Sequence, residues 1–125
     1  MFRILMIIGT GSFLGGVSRF IVARVVQNSA DSAFPFGTLF VNVLGCLIIG
    51  IVYGVADRGT IITPEMRLFL AVGFCGGFTT FSAFAAENIA MLRDGNVLQF
   101  ALYAGISVFL GVLATWFGNV LTKLI

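Results

Sequence analysis

A chain of 125 residues that is 59% hydrophobic and only 10% charged has too few polar side chains to cover a soluble domain. Its net charge of +2 is too small and too dispersed to indicate a nucleic-acid partner. With no histidine and only five carboxylates, the chain offers little for acid–base or metal chemistry, and we do not expect an enzyme. The solvent that fits this composition is a lipid bilayer.

Four apolar runs are each long enough to span a bilayer as a helix, which takes roughly 20 residues. They cover residues 4–26, 36–56, 66–92 and 97–121. The connections between them are too short to form a soluble domain. We therefore predict an all-α membrane protein in which residues 1–125 form a single four-helix transmembrane domain, surrounded by membrane lipid.

The first run has Arg3 before its apolar stretch, an arrangement that is also typical of a secretory signal peptide. We favour a membrane helix, because this run is longer than the usual signal-peptide apolar region of about 7 to 15 residues. In addition, the stretch GSFLGGVSRF places Arg19 where a cleavage site would be expected.

Pairs of glycines four residues apart recur along the chain, and such pairs let helix backbones approach closely in lipid. They are Gly11 and Gly15, Gly50 and Gly54, and Gly73 and Gly77. We interpret these pairs as packing seams rather than as pore linings. Because four thin helices bury little surface between them, we also expect the chain to form an oligomer.

The second run follows a polar loop that ends at Pro35, a residue tolerated near a helix start. It contains Thr38 and Asn42, which share a face because they are four residues apart. An asparagine amide left unpaired in hydrocarbon costs a few kcal/mol. Two interpretations of Asn42 are open: it joins two helices, or it donates its N–H groups to a passing anion.

The third run begins after Thr63, which can cap a helix, and Pro64, which suits a first helical position. It then contains GFCGGFTTFSAFAAEN, in which adjacent glycines loosen the helix and threonine hydroxyls can replace missing backbone partners. We predict a helix break within residues 75–80, which would free backbone carbonyls at mid-membrane depth to hold an ion. A continuous, glycine-rich packing helix is the alternative.

Beyond the predicted break, Phe81, Phe84 and Asn88 follow one helical face. The two rings either face lipid or fill a core, or they present positively polarised edges to an anion. Thr80 and Ser82 add hydroxyl donors nearby.

In the fourth run, Tyr103 and Ser107 are again four residues apart and form another face that bears donors. Two ionisable residues lie inside the predicted spans, Arg19 in the first and Glu87 in the third. An ionisable residue within a membrane is a functional candidate by default. Pairing of Arg19 with Glu87, within or between subunits, is the structural alternative.

Four spans place the N-terminus, the second loop and the C-terminus on one side of the membrane. The charges on that side are those of Arg3, Arg58, Arg67 and Lys123, and those on the other are Arg24 and Arg93, with Arg19 deeper. This positive-inside bias is weak. The chain therefore has little preference for one orientation, and antiparallel pairing becomes possible.

In the stretches GSFLGGVSRF, FPFGTLFVNVLG and GFCGGFTTFSAFAAE, the chain closely resembles the small bacterial fluoride channels of the Fluc (CrcB) family. The length and the four-helix plan also match, so the resemblance covers almost the whole chain. It implies an antiparallel, dual-topology homodimer in the bacterial inner membrane, with two pores that each use groups from both subunits. Ala83 stands where many members have threonine, so one hydroxyl of the family pattern is missing.

The resemblance also implies roles for individual residues. Phe81 and Phe84 match rings that line the fluoride path, and Asn42 matches a pore asparagine that donates hydrogen bonds. Gly76 and Thr79 match the break whose main-chain carbonyls, from both protomers, hold a central structural Na⁺. The remaining matches are to polar pore positions at Thr38, Thr80, Ser82, Tyr103 and Ser107, to a first-helix arginine at Arg19 and to a vestibule carboxylate at Glu87.

The function implied by the resemblance is passive export of cytoplasmic fluoride down its electrochemical gradient. Fluoride is small and tightly hydrated, so uncharged donors and weakly positive ring edges suit a pore that must replace its water and still release it. One alternative is a small dual-topology, proton-coupled cation or drug transporter, which needs a carboxylate in the first span that this chain lacks. A non-transporting assembly subunit would leave the polar and aromatic clusters without a purpose.

Overall fold

In the computed structural model, which describes residues 1–59 and 61–125, four helical spans are long and apolar enough to cross a membrane. They cover Phe2–Ala30, Phe36–Ala56, Pro64–Arg93 and Val97–Leu124, and we name the first two α1 and α2. The described residues contain no β-strand. The predicted all-α fold with four spans is confirmed, and the chain is a multi-pass membrane protein.

The third span is divided into several helical segments. These are α3 (Pro64–Arg67), a π-helical segment (Leu68–Cys75), α4 (Gly76–Phe78) and α5 (Phe81–Arg93). Thr63 caps the start of this span, because its hydroxyl accepts a hydrogen bond from the Met66 N–H at 3.1 Å. The fourth span consists of α6 (Val97–Leu121) and a 3₁₀ turn (Thr122–Leu124).

The first packing seam joins α1 to the third span. A Cβ atom added at Gly11 would lie 2.6 Å from the Phe69 carbonyl oxygen, and one at Gly15 would collide with the Phe74 carbonyl. A Cβ atom at Gly77 would likewise lie 2.5 Å from the carbonyl of α1 at Ser12. Gly11, Gly15 and Gly77 therefore lie where backbones touch, as expected for helix packing in lipid.

The second seam joins α2 to α6. Gly50 of α2 faces the carbonyl of Thr115, and Gly118 of α6 faces the carbonyl of Leu47, each too closely for a side chain. The Thr115 hydroxyl also donates across the seam to the Cys46 carbonyl at 3.1 Å. These two seams fix the four spans as two tightly joined pairs.

The loop between α1 and α2 is held by one side chain. Gln27 Nε2 donates to the carbonyls of Ser32 at 2.8 Å and Phe34 at 2.9 Å, and its Oε1 accepts from the Gly37 N–H at 3.0 Å. Asp31 ends α1 in the left-handed conformation, with φ of 47°. The loop therefore delivers α2 in a fixed position relative to α1, which sets the depth of Asn42.

The two ends of the bundle differ in charge. The end that we call the basic end holds Arg3, Asp57, Arg58, Glu65, Arg67 and Lys123. The opposite end holds Arg24, Asp31, Arg93 and Asp94, with Glu87 about two turns deeper in α5. The basic end therefore carries four cations against two carboxylates, whereas cations and carboxylates balance at the other end before Glu87 is counted.

Candidate functional site at the broken third span

The third span breaks at Thr79 and Thr80, whose backbones are extended, with φ/ψ of −92°/158° and −148°/119°. The Thr80 hydroxyl caps α5 by accepting from the Ala83 N–H at 3.1 Å. On the other side of the break, the N–H and the hydroxyl of Thr79 both donate to the Cys75 carbonyl, at 3.0 and 2.9 Å. The predicted break is confirmed, and threonine hydroxyls replace helix hydrogen bonds as expected.

Asn42 of α2 reaches the break and pairs with both main-chain groups of Thr80. Its Nδ2 donates to the Thr80 carbonyl at 3.1 Å, and its Oδ1 accepts from the Thr80 N–H at 2.7 Å. Only one orientation of the amide satisfies both bonds. Asn42 therefore joins α2 to the third span, and the second hydrogen on Nδ2 stays available for another acceptor.

Arg19 of α1 meets the carboxyl end of α4. Its Nε donates to the Gly77 carbonyl at 3.0 Å, which places a cation at the negative end of a helix dipole. In the described part of the chain the one ion pair joins Arg3 to Glu65, so pairing of Arg19 with Glu87 within the chain is wrong. The reason is physical: the break releases the Gly77 carbonyl, and that oxygen accepts from the guanidinium instead.

Glu87 of α5 accepts hydrogen bonds from two other spans. Thr38 Oγ1 donates to Oε2 at 2.7 Å, and the Tyr103 hydroxyl donates to Oε1 at 2.8 Å. Both donors are buried. The carboxylate is therefore held between α2 and α6, and it occupies two of the hydroxyl donors that the sequence indicated as polar pore positions.

The predicted aromatic pair lies immediately after the break. The ring centroids of Phe81 and Phe84 are 5.8 Å apart, with a tilt of 42° between the planes, and the Phe84 ring also lies 5.0 Å from that of Tyr103. Phe84 is half-buried, whereas Phe81 is 79% exposed. The Phe81 ring therefore projects from the bundle beside the break.

Two cavities lie along the surface of the bundle, the first between α2, the third span and α6, and the second between α2 and α6. The first has a volume of 360 Å³ and includes Asn42, Thr79, Thr80, Phe81, Phe84 and Ser107 in its lining. The second has a volume of 650 Å³ and reaches Tyr53, Thr115, Trp116 and Asn119. Because Cys46, Ser107 and Val108 line both, the two cavities adjoin each other along the surface, and we call them together the α2–α6 groove.

The remaining predicted site residues differ in their exposure and in their hydrogen-bond partners. Ser82 is exposed, and its hydroxyl lies 3.4 Å from that of Thr80. The Ser107 hydroxyl is buried without a hydrogen-bond partner in the described structure, although the residue lines both cavities. Asn88 donates to the Phe84 carbonyl of its own helix at 2.9 Å. Asn88 therefore supports α5 rather than the groove.

The sequence did not indicate three contributors to this region. Cys46 and Cys75 lie in apolar runs without a recognisable motif, yet both line the first cavity, with Cys75 buried and Cys46 partly open. Gly77 was interpreted as a seam glycine and as part of the predicted break, but not as a hydrogen-bond acceptor, yet its carbonyl receives Arg19. A carbonyl leaves no mark in the sequence beyond the glycines that precede the break.

Comparison with known proteins finds one matching family and relatives that are similar along nearly the whole chain. The family described as "CrcB-like protein, Camphor Resistance (CrcB)" matches residues 6–119. The chain is 40% identical over 116 residues to "Fluoride-specific ion channel FluC" of Flavobacterium psychrophilum, covering 93% of this chain and 94% of that protein.

Two further relatives bear the same name. The protein of Chlorobium phaeobacteroides (strain BS1) is 44% identical over 120 residues, which cover 96% of this chain and 93% of the relative. The protein of Campylobacter jejuni (serotype O:23/36) is 39% identical over 123 residues, covering 98% of this chain and 100% of the relative. With a match over residues 6–119 and relatives of this identity along nearly its full length, the chain belongs to the CrcB-like family.

Proposed function

We propose that this chain is a fluoride-selective passive ion channel that exports cytoplasmic fluoride down its electrochemical gradient in the bacterial inner membrane. The observation that carries the proposal is the meeting of Asn42, Phe81 and Phe84 at one cavity beside the broken third span. The relatives named as fluoride-specific channels support the choice of ion.

The groups at this cavity suit a small, strongly hydrated anion. Asn42 keeps one N–H donor after it has bound Thr80, and the tilted rings of Phe81 and Phe84 have positively polarised edges. None of the three side chains carries a full charge. A site of this kind replaces the water of fluoride with weak, multiple contacts, so the ion is bound loosely enough to leave.

The proposal includes an antiparallel, dual-topology homodimer with two pores. Two features support a partner: Phe81 is 79% exposed, and the α2–α6 groove is open along one side of the bundle. A second copy placed against the groove would close it, and the lining residues Thr80 and Ser107 would then serve as polar wall groups. Ser82, Thr38 and Tyr103 are proposed as further polar positions of the pathway, the last two through the hydroxyls that Glu87 binds. The weak charge bias between the two ends is compatible with insertion in both orientations.

The proposal also includes a structural Na⁺ held by the main-chain carbonyls of Gly76 and Thr79. The Thr80 N–H donates to Asn42 and the Ala83 N–H donates to the Thr80 hydroxyl, so neither reaches the carbonyl four residues before it. The described residues include no cluster of three His, Cys, Asp or Glu side chains that could hold a metal ion. Free carbonyls at a half-helix end are ligands of the type that Na⁺ takes in membrane proteins.

The drug-transporter alternative is not supported. That class needs a carboxylate in the first span, and α1 contains none between Phe2 and Ala30. Glu87, in the third span, is already bound by two hydroxyls.

The test of the proposed function is fluoride release from liposomes that contain the purified protein. On addition of a potassium ionophore we expect rapid release of fluoride and almost none of chloride, measured with ion-selective electrodes. Phe81→Ile should abolish the release, because it removes an aromatic edge from the cavity. Phe13→Ile is the matched control, because Phe13 is a similarly exposed ring on α1 away from the groove.

Comparable release of chloride would refute fluoride selectivity, and normal release by Phe81→Ile would remove the ring from the pathway. Glu87→Gln separates the two transport classes: a proton-coupled exchanger would lose its coupling, whereas a passive fluoride pathway keeps conducting.

A further inference from the structure

The α2–α6 groove ends at the basic end of the bundle beside an arginine. Tyr53, Trp116 and Asn119 line this last part of the groove. The guanidinium carbon of Arg67 lies 5.1 Å from the centroid of the Tyr53 ring. Arg67 is exposed, and it belongs to the first turn of the third span. A positive charge therefore lies at the mouth of the groove.

Within the described residues, no carboxylate forms an ion pair with Arg67. Glu65, two residues earlier, is bound by Arg3 Nη2 at 2.9 Å, and this is the one ion pair in the part of the chain that the structure describes. The other charges of this end are those of Asp57, Arg58 and Lys123. A cleft with apolar walls beside an unpaired charge focuses the electric field and raises the local concentration of ions of opposite sign.

We propose that Arg67 draws fluoride into the groove at the basic end. The contact with Tyr53 holds the Arg67 side chain in place. This inference rests on the proposed function and assigns to that function an entry residue outside the narrow pathway. Tyr53 lies seven residues from Cys46 in α2, or about 10 Å along the helix. At that distance from Cys46, where the two cavities meet, the cation attracts the anion without binding it at the junction. The release of the ion is therefore not slowed.

The test measures fluoride release from liposomes at two concentrations of an impermeant salt. Arg67→Gln should lower the rate about two- to fivefold near 10 mM salt, the size expected for one unit charge close to an ion in a water-filled mouth. Near 300 mM salt the difference should nearly vanish, because the Debye length falls from about 30 Å to less than 10 Å. Arg67→Lys, which keeps the charge, should retain most of the rate at low salt.

Lys123→Gln is the matched control, because it removes one positive charge from the same end at a residue that lines a separate cavity, whereas Arg67 lies over the ring of the groove residue Tyr53. We expect it to slow release less than Arg67→Gln does. Thermal stability of each variant in detergent is measured in parallel and should be unchanged.

Equal rates for wild-type protein and Arg67→Gln at low salt would overturn the inference, as would an Arg67→Lys variant as slow as Arg67→Gln. A loss of rate that persists at high salt, with lowered thermal stability, would also overturn it and assign Arg67 a packing role. If the wild-type protein itself releases no fluoride, the proposed function fails instead, and the two failures are thereby distinguished.

Discussion

Asn42 uses its amide as a substitute for a stretch of missing helix. Because Thr80 is extended, its N–H and carbonyl lack helical partners, and Asn42 supplies one of each. The sequence predicted that Asn42 would be paired or would serve an anion, since an unpaired amide in hydrocarbon is costly. It did not predict the partner, because a spacing of four residues defines a shared face but not what lies opposite that face.

Asn42→Asp tests the two uses of this side chain separately. The variant keeps an acceptor for the Thr80 N–H but loses both donors, so we expect fluoride release to be abolished. The Thr80 carbonyl would lose its partner, and we expect a loss of stability of about 1–3 kcal/mol, measured by thermal unfolding in detergent. Release at the wild-type rate would contradict a donor role for Asn42.

At the scale of helices, the lengths of the apolar runs and the polar loops between them were sufficient to place the spans. The second and fourth runs were predicted at residues 36–56 and 97–121, and α2 and α6 have these bounds. The break was predicted within residues 75–80 and occurs at Thr79 and Thr80. The π-helical segment was not predicted, because hydrogen bonds to the fifth residue arise from packing and not from composition.

The seam between α1 and the third span can be tested with two glycines of the same helix. Gly15→Ala places a Cβ atom against the Phe74 carbonyl, so we expect a marked loss of thermal stability. Gly9→Ala is the matched control, since a Cβ atom there meets nothing within 4 Å. Alanine favours helix over glycine by up to about 1 kcal/mol, so the control should be neutral or slightly stabilising. A similar melting temperature for both variants would contradict the seam.

At the scale of the whole molecule, the α2–α6 groove depends on residues from three spans that no local pattern connects. Cys46 illustrates this, because it lies in an apolar run and no motif marks it. The structure places it where the two cavities join. Local spacing shows which side chains share a helix face, but the alignment of one helix against another is set by tertiary packing.

Cys46 provides a chemical test of the groove. A small mercurial reagent should react with this partly open thiol and block fluoride release, because the adduct would fill the junction between the cavities. Cys46→Ser should protect the protein from the reagent while it retains release, and the buried Cys75 should react slowly or not at all. Undiminished release after complete labelling of Cys46 would show that the ions do not pass the junction.

The order of partners along the chain has a consequence for biogenesis. The two side chains that bind the break from other helices, Arg19 and Asn42, precede Thr80 in the sequence, so they are synthesised before the segment that needs them. When the nascent third span leaves the ribosome, two upstream helices can already present its acceptor and its donor. In a circular permutant that begins with the third span, the peptide groups of the break would be inserted before Arg19 and Asn42 are synthesised. They would then lack hydrogen-bond partners until the later helices enter the membrane.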